Sequence, residues 1–288
     1  MYKLIAIDLD CTLLNSYGEI TRENKQAIKY AIDNGIEVVL ASGRDPGTMK
    51  KISLELGINN YLIAGNGASV YDIKLDKNIY KSFIEKEKAL QIIKLCKENS
   101  IFFNIYTNKG IITESLNYNV KVFNNENNYK PNNKRTNIEV TTDIYKYIND
   151  NELEILKIII CDNSKIIFNN IIDKLKKIRD VEVLDVSHMS KKFIKRGTEE
   201  VQVEYFYTEV TNKNTNKWDA ITFLINELDI KKDEVICIGD NINDLKMIEN
   251  SGLGIVMKDS ALEKMKIGDY VTLDNNSNGV EKAIYKYI

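Results

Sequence analysis

Short apolar runs that each stop on a polar or glycine residue are the strongest constraint on how this chain folds. Leu4-Ile5-Ala6-Ile7 leads into Asp8, Ile36-Glu37-Val38-Val39-Leu40-Ala41 into Ser42, and Tyr61-Leu62-Ile63-Ala64 into Gly65-Asn66-Gly67. Runs this short and this apolar read as strands of a buried sheet. Between them lie helical patterns. One covers roughly Arg22 to Asn34, with Ala27, Ile28, Ala31 and Ile32 on one face, Thr21 as its cap and Gly35 at its end. A second opens at Asp45-Pro46, carries Met49, Ile52 and Leu56, and closes at Gly57. Strand, helix, strand, helix, strand implies a parallel sheet with right-handed crossovers.

The same grammar returns late in the chain. Lys217 to Leu228 is amphipathic, Val235 to Ile238 is an apolar run ending in Gly239-Asp240, a short helix passes through Leu245 and Ile248, and Gly254 to Met257 is a further strand. The middle differs. Helices are expected over Lys86 to Glu98 and Ile166 to Ile178, and strands over Ile101 to Tyr106, Leu156 to Cys161, Val181 to Val186 and Val201 to Tyr207. Asn- and Lys-rich loops join them, above all Asn124 to Asn137. The expected architecture is α/β: a doubly wound, mainly parallel sheet built from 1–83 and 209–288, with an α+β domain of 84–208 inserted.

Composition narrows the function. A net charge of -2 supplies no basic field for nucleic acid or an acidic membrane surface. The four cysteines, Cys11, Cys96, Cys161 and Cys237, form no CxxC, and three sit in apolar runs, as expected of small buried hydrophobes in a reducing cytoplasm. One histidine, His188, excludes His-pair metal sites and reads as a surface or cap residue. The start MYKLIAIDLD carries acids inside its apolar run and does not read as a signal peptide, and no run reaches the ~20 apolar residues of a membrane span.

Asp8 and Asp10 stand at i and i+2 at the end of the first strand, expected to end near Asp10, so their side chains are expected to leave the same face of it. Like charges brought together at a buried strand end need a cation or a shared proton. Ser42 and Asp240 also follow strands, Asn243 and Asp244 come just after Asp240, and Lys217 opens a helix. In an open α/β sheet the carboxyl ends of the strands share one edge, and ligands bind there. These distant residues are therefore expected to meet.

Asp8-Leu9-Asp10-Cys11-Thr12-Leu13-Leu14, Ser42-Gly43-Arg44, Lys217 and Gly239-Asp240-Asn241-Ile242-Asn243-Asp244 resemble motifs I to IV of the haloacid dehalogenase superfamily. The insertion after the third strand and Asn66-Gly67-Ala68 resemble its Cof-type phosphatases, with a class IIB cap. The resemblance implies a Mg²⁺-dependent phosphatase of a small phosphorylated metabolite. Asp8 would be the nucleophile that takes the phosphoryl group. Asp10 would protonate the leaving oxygen and then activate water. Mg²⁺ would be held by the Asp8 and Asp240 side chains and the Asp10 carbonyl. Ser42, the Gly43 amide, Arg44, Lys217 and Asn243 would bind substrate, Ser42 and Lys217 sharing in catalysis. Asp244 would stand behind them, holding Lys217 or a metal-bound water. No nucleic-acid or membrane partner is implied, and the protein would be cytoplasmic, a monomer or weak homo-oligomer.

Alternatives remain at this point. A sugar phosphomutase shares the intermediate, and a non-catalytic phosphometabolite-binding protein shares the fold. Lys213 competes with Lys217 as the third-motif lysine. Three positions depart from the family pattern: Cys11 where glycine is common, Trp218 after the lysine where glycine is frequent, and Lys258-Asp259 where Gly-Asn is frequent. Cys11 is strained if its φ is positive.

Overall fold

The computed structural model describes residues 1–132, 135–184, 189–196 and 199–288. They fall into two compact units, Met1–Lys81 with Thr215–Ile288, and Ser82–Asn214. His188 and the end of the expected Val181 to Val186 strand lie outside the described residues.

The first unit begins with β1 (Leu4–Ile7), α1 (Arg22–Asp33), β2 (Glu37–Ala41), α2 (Pro46–Glu55), β3 (Tyr61–Ala64), β4 (Ser69–Asp72) and β5 (Lys77–Lys81). Helix starts follow the expected chemistry. The Thr21 side chain accepts from the Asn24 amide and Asp45 from the Thr48 amide, with Pro46 in the first turn of α2.

The second unit holds α3 (Lys86–Glu98), β6 (Phe102–Thr107), β7 (Gly110–Thr113), α4 (Tyr118–Asn127), β8 (Ile138–Val140), α5 (Ile144–Asp150), β9 (Ile155–Asp162), α6 (Lys165–Leu175), β10 (Val181–Val183), β11 (Ser190–Arg196) and β12 (Glu199–Asn212). Its sheet runs β10-β12-β9-β6-β7-β8, with β11 paired to β12. Two expectations fail here. Asn124 to Asn127 is the last part of α4 rather than a loop, and α6 stops at Leu175 rather than Ile178. Asparagine is a poor helix former, but Asn119 of α4 exchanges side-chain amide hydrogen bonds with Asn104 of β6 (2.9 and 3.3 Å), so tertiary contact overrides propensity.

The chain then returns to the first unit with α7 (Lys217–Glu227), β13 (Val235–Gly239), α8 (Leu245–Asn250), β14 (Leu253–Val256), α9 (Ala261–Lys264), β15 (Tyr270–Val271) and α10 (Gly279–Tyr287). Its sheet order is β15-β14-β13-β1-β2-β3-β4-β5. Every pair from β15 to β3 is parallel, and β4 and β5 are antiparallel additions that the apolar pattern missed. Alternate strand residues bury against opposite helix layers. Ile5, Ile7, Val38, Leu40 and Ile238 meet Ala27, Ile28, Met49 and Ala283, while Leu4, Ala6, Val39 and Cys237 meet Ala220, Ile221, Leu224 and Met247. The chain leaves β1 towards β2 and β3 on one side and returns through β13 to β15 on the other. The switch point thus lies between β1 and β13, where such folds place their ligands.

The second unit buries an ion pair: Lys157 Nζ of β9 donates to Glu209 Oε1 of β12 at 2.8 Å and lies 5.0 Å from the centre of the Tyr106 ring. Removing one partner strands a buried charge, whereas replacing both with apolar residues does not. Lys157→Ala is expected to lower stability by roughly 3–5 kcal/mol. The double change Lys157→Met with Glu209→Leu should cost far less, read from urea unfolding followed by far-UV circular dichroism.

Candidate active site

Four segments supply the site. Leu4↔Val235 and Leu4↔Glu37 set β1 in register with both neighbours, so Asp8, Asp240 and Ser42 follow the ends of three adjacent strands. The Asp8 amide donates to the Ile238 carbonyl at 3.0 Å, extending that register by one residue. The chain then makes a tight turn over Leu9–Leu13, in which Cys11 has φ +63°. That left-handed backbone explains why glycine suits the position; Cys11 occupies it with an exposed thiol. Asp259, the second departure in a turn, likewise has φ +63°, a conformation that Asp and Asn tolerate well.

Lys217, fully buried at the start of α7, is the cation of the site. Its Nζ donates to Asp8 Oδ1 and, at 2.6 Å, to Asp244 Oδ1. Lys213 belongs to the other unit and lies 3.8 Å from Asp180 on an exposed surface, so Lys217 is the lysine that meets Asp8. Asp244, also fully buried, accepts with Oδ2 from the amides of Asp240 (3.0 Å) and Asn241 (3.2 Å). Gly239 makes this possible: a Cβ there would lie 2.6 Å from Asp244 Cβ. Asp240 is only partly buried, and its Oδ1 accepts from Thr12 Oγ1 at 3.1 Å. The motif reading gave Thr12 no task. Its hydroxyl, four residues beyond Asp8 in a turn, was the available clue.

Carboxylate oxygens of Asp8, Asp240 and Asp244 lie within 4.8 Å of one another. Burial, then the neighbouring Asp244, push the Asp8 carboxyl well above its ordinary range, against the opposing pull of Lys217. The same two causes raise Asp240 to about 7. Lys217 is pushed upward by Asp244 and Asp8 despite its burial, and stays charged. Three carboxylates against one ammonium leave two negative charges in excess. All the donors are hard oxygens. That set fits a hard divalent cation.

The other expected residues divide into two groups. Asp10 does not join the carboxylate cluster: its exposed side chain receives a fork from Arg44, Nε to Oδ2 at 3.0 Å and a terminal nitrogen to Oδ1 at 2.5 Å. Ser42 is buried, and its Oγ accepts from the Arg44 amide at 3.3 Å, across Gly43. Asn243 Nδ2 donates to Asn66 Oδ1 at 3.1 Å.

The profile of the haloacid dehalogenase-like hydrolases matches residues 5–284. The chain belongs to that family. Among its relatives, YxeH of Bacillus subtilis (strain 168) is 30% identical, over 100% of this chain and 99% of its own. The 5-amino-6-(5-phospho-D-ribitylamino)uracil phosphatase YcsE of the same organism is 26% identical, over 99% and 96%. The solved structure of a subclass IIB sugar phosphatase of the superfamily shares the fold with a TM-score of 0.75 at 19% identity, covering 99% of this chain and 98% of that one. The protein is thus an enzyme of a hydrolase family that includes phosphatases, with the α/β fold expected from the motifs. No helix among the described residues is long and apolar enough to cross a membrane.

The raised carboxyls make stability depend on pH in a defined direction. In the unfolded chain Asp240 loses its proton near 4, but in the metal-free fold it keeps it to about 7. Between those values the folded state holds more protons, so stability falls as pH rises. Metal-free protein is expected to melt at a lower temperature at about pH 8 than at about pH 5. Asp240→Asn should remove part of that drop, and Mg²⁺ should offset it in the unchanged protein, both read by calorimetry.

Proposed function

We propose that this protein is a Mg²⁺-dependent phosphatase of a small phosphorylated metabolite, a sugar phosphate or similar, and that Asp8 carries the phosphoryl group during the reaction. The observation that carries the reading is the placement of Asp8: a buried carboxylate at the switch point, fixed by Lys217 and flanked by Asp240. Lys217 holds the Asp8 side chain in one orientation and supplies positive charge where a phosphoryl group would gather negative charge. A buried, preoriented donor of this kind needs no rearrangement when the reaction begins.

Asp8 and Asp240, with the Asp10 carbonyl as the family resemblance has it, would hold the cation, which supplies charge neutralisation for the phosphoryl oxygens. Asp244 is already engaged through both oxygens, so its part is to brace Lys217 and the backbone after β13. Asp10 faces solvent from the same turn as Asp8, where it can give a proton to the departing oxygen and later take one from water. Arg44 fixes its direction. Ser42 Oγ, the Gly43 amide and the Asn243 side chain are the remaining groups suited to phosphoryl oxygens.

The inserted segment, 84–208, is assigned the choice of leaving group, as the cap of the enzyme. YcsE and the sugar phosphatase are named for different phosphorylated small molecules, as expected if a shared core works with variable insertions. The substrate is taken to be diffusible and cytoplasmic, and the enzyme to act as a monomer or weak homo-oligomer. Asp8→Asn should reduce turnover of an aryl phosphate in the presence of Mg²⁺ by roughly 10³-fold or more. Unchanged release of phosphate by that variant would end the assignment of Asp8.

A further inference from the structure

The turn after β3 touches three of the segments that carry the site. Gly65, Asn66 and Gly67 all have left-handed backbones, with φ of 60°, 57° and 97°. The Gly65 amide donates to the Arg44 carbonyl and the Asn66 amide to the Ser42 carbonyl, each at 2.9 Å. Asn66 Oδ1 accepts from Asn243 Nδ2 at 3.1 Å. Gly67 presses against the residue before Lys217 so closely that a Cβ would lie 2.1 Å from the Asn216 carbonyl oxygen. Asn66 is buried, yet its side chain points at a neighbour whose own side chain stands in the constellation.

We infer that Asn66 is a positioning residue of the active site, acting through Asn243, and that its turn sets the mutual placement of Ser42, Asn243 and the start of α7. The chemistry at this position is specific. A left-handed backbone favours glycine, asparagine or aspartate, and of these only the latter two offer an acceptor to Asn243. Glycine would satisfy the turn, so the amide side chain answers a second demand. Without it, the Asn243 amide is free to turn away from the direction that the phosphoryl site requires. A small misplacement of an orienting group carries a large kinetic loss.

This inference rests on the phosphatase reading for its kinetic consequence but not for its structural one, and the test separates the two. Asn66→Gly keeps the backbone conformation and deletes the acceptor. In isotope-labelled, ligand-free protein it should shift or split the Asn243 side-chain amide resonance while leaving the melting temperature nearly unchanged. With Mg²⁺ and an aryl phosphate, Asn66→Gly and Asn243→Ala should each lower kcat/KM by roughly tenfold, and the double variant should be no worse than the poorer single. An unmoved Asn243 resonance overturns the inference, and so do single losses that multiply in the double variant. If the unchanged protein hydrolyses no phosphate ester while the Asn243 resonance moves as expected, the phosphatase reading falls and the positioning role stands.

Discussion

The ammonium of Lys217, withdrawn from water between Asp8 and Asp244, is the interaction on which the site depends. Burying a charge costs several kcal/mol unless partners replace its hydration. Here two carboxylates do so, and each belongs to a different segment. Asp8 closes β1, and Asp244 lies beyond β13, with its other oxygen on the Asp240 and Asn241 amides. One cation at the start of α7 thereby ties together the ends of two neighbouring strands. Burial first, and then the excess of carboxylate over ammonium, leave Asp8 and Asp240 both resisting ionisation. A fold that tolerates this arrangement keeps a place ready for external positive charge.

The sheet makes the convergence possible. Four-residue β1 is buried throughout because helices cover both of its faces. Its parallel neighbours end at the same edge, so residues separated by more than 200 positions, such as Asp8 and Lys217, come within hydrogen-bond reach. Close packing then dictates glycine at two points for different reasons. Gly239 leaves room for the Asp244 side chain, and Gly67 leaves room for the carbonyl of Asn216. Cys11 shows the opposite case, a side chain held in a turn whose backbone favours glycine.

Much of this was legible from the chain alone because local signals agreed with the global fold. Thr21, Asp45-Pro46 and the apolar runs of β1, β2, β3 and β13 each predict the element that forms. Side-chain partners were less legible, since they depend on register between distant strands. Nothing in Asp-Leu-Asp says that Asp10 turns out to meet Arg44 while Asp8 turns in to meet Lys217. Nor does spacing reveal that a carboxylate oxygen of Asp244 lies within 4.8 Å of one from Asp8. Three of the elements that escaped notice have weak patterns for physical reasons. β5 (Lys-Asn-Ile-Tyr-Lys) is an edge strand with polar ends, β11 carries three lysines beside a single partner, and α4 is rich in asparagine.

The central claim is that the Asp8 carboxylate becomes bonded to phosphorus. It is tested most directly by acid-quenching an Asp10→Asn variant during reaction with an aryl phosphate and Mg²⁺, then mapping the modified peptide by mass spectrometry. The account predicts one phosphoryl group on Asp8. A phosphoryl group on another residue, or an unmodified Asp8 in enzyme that is releasing phosphate, would contradict it.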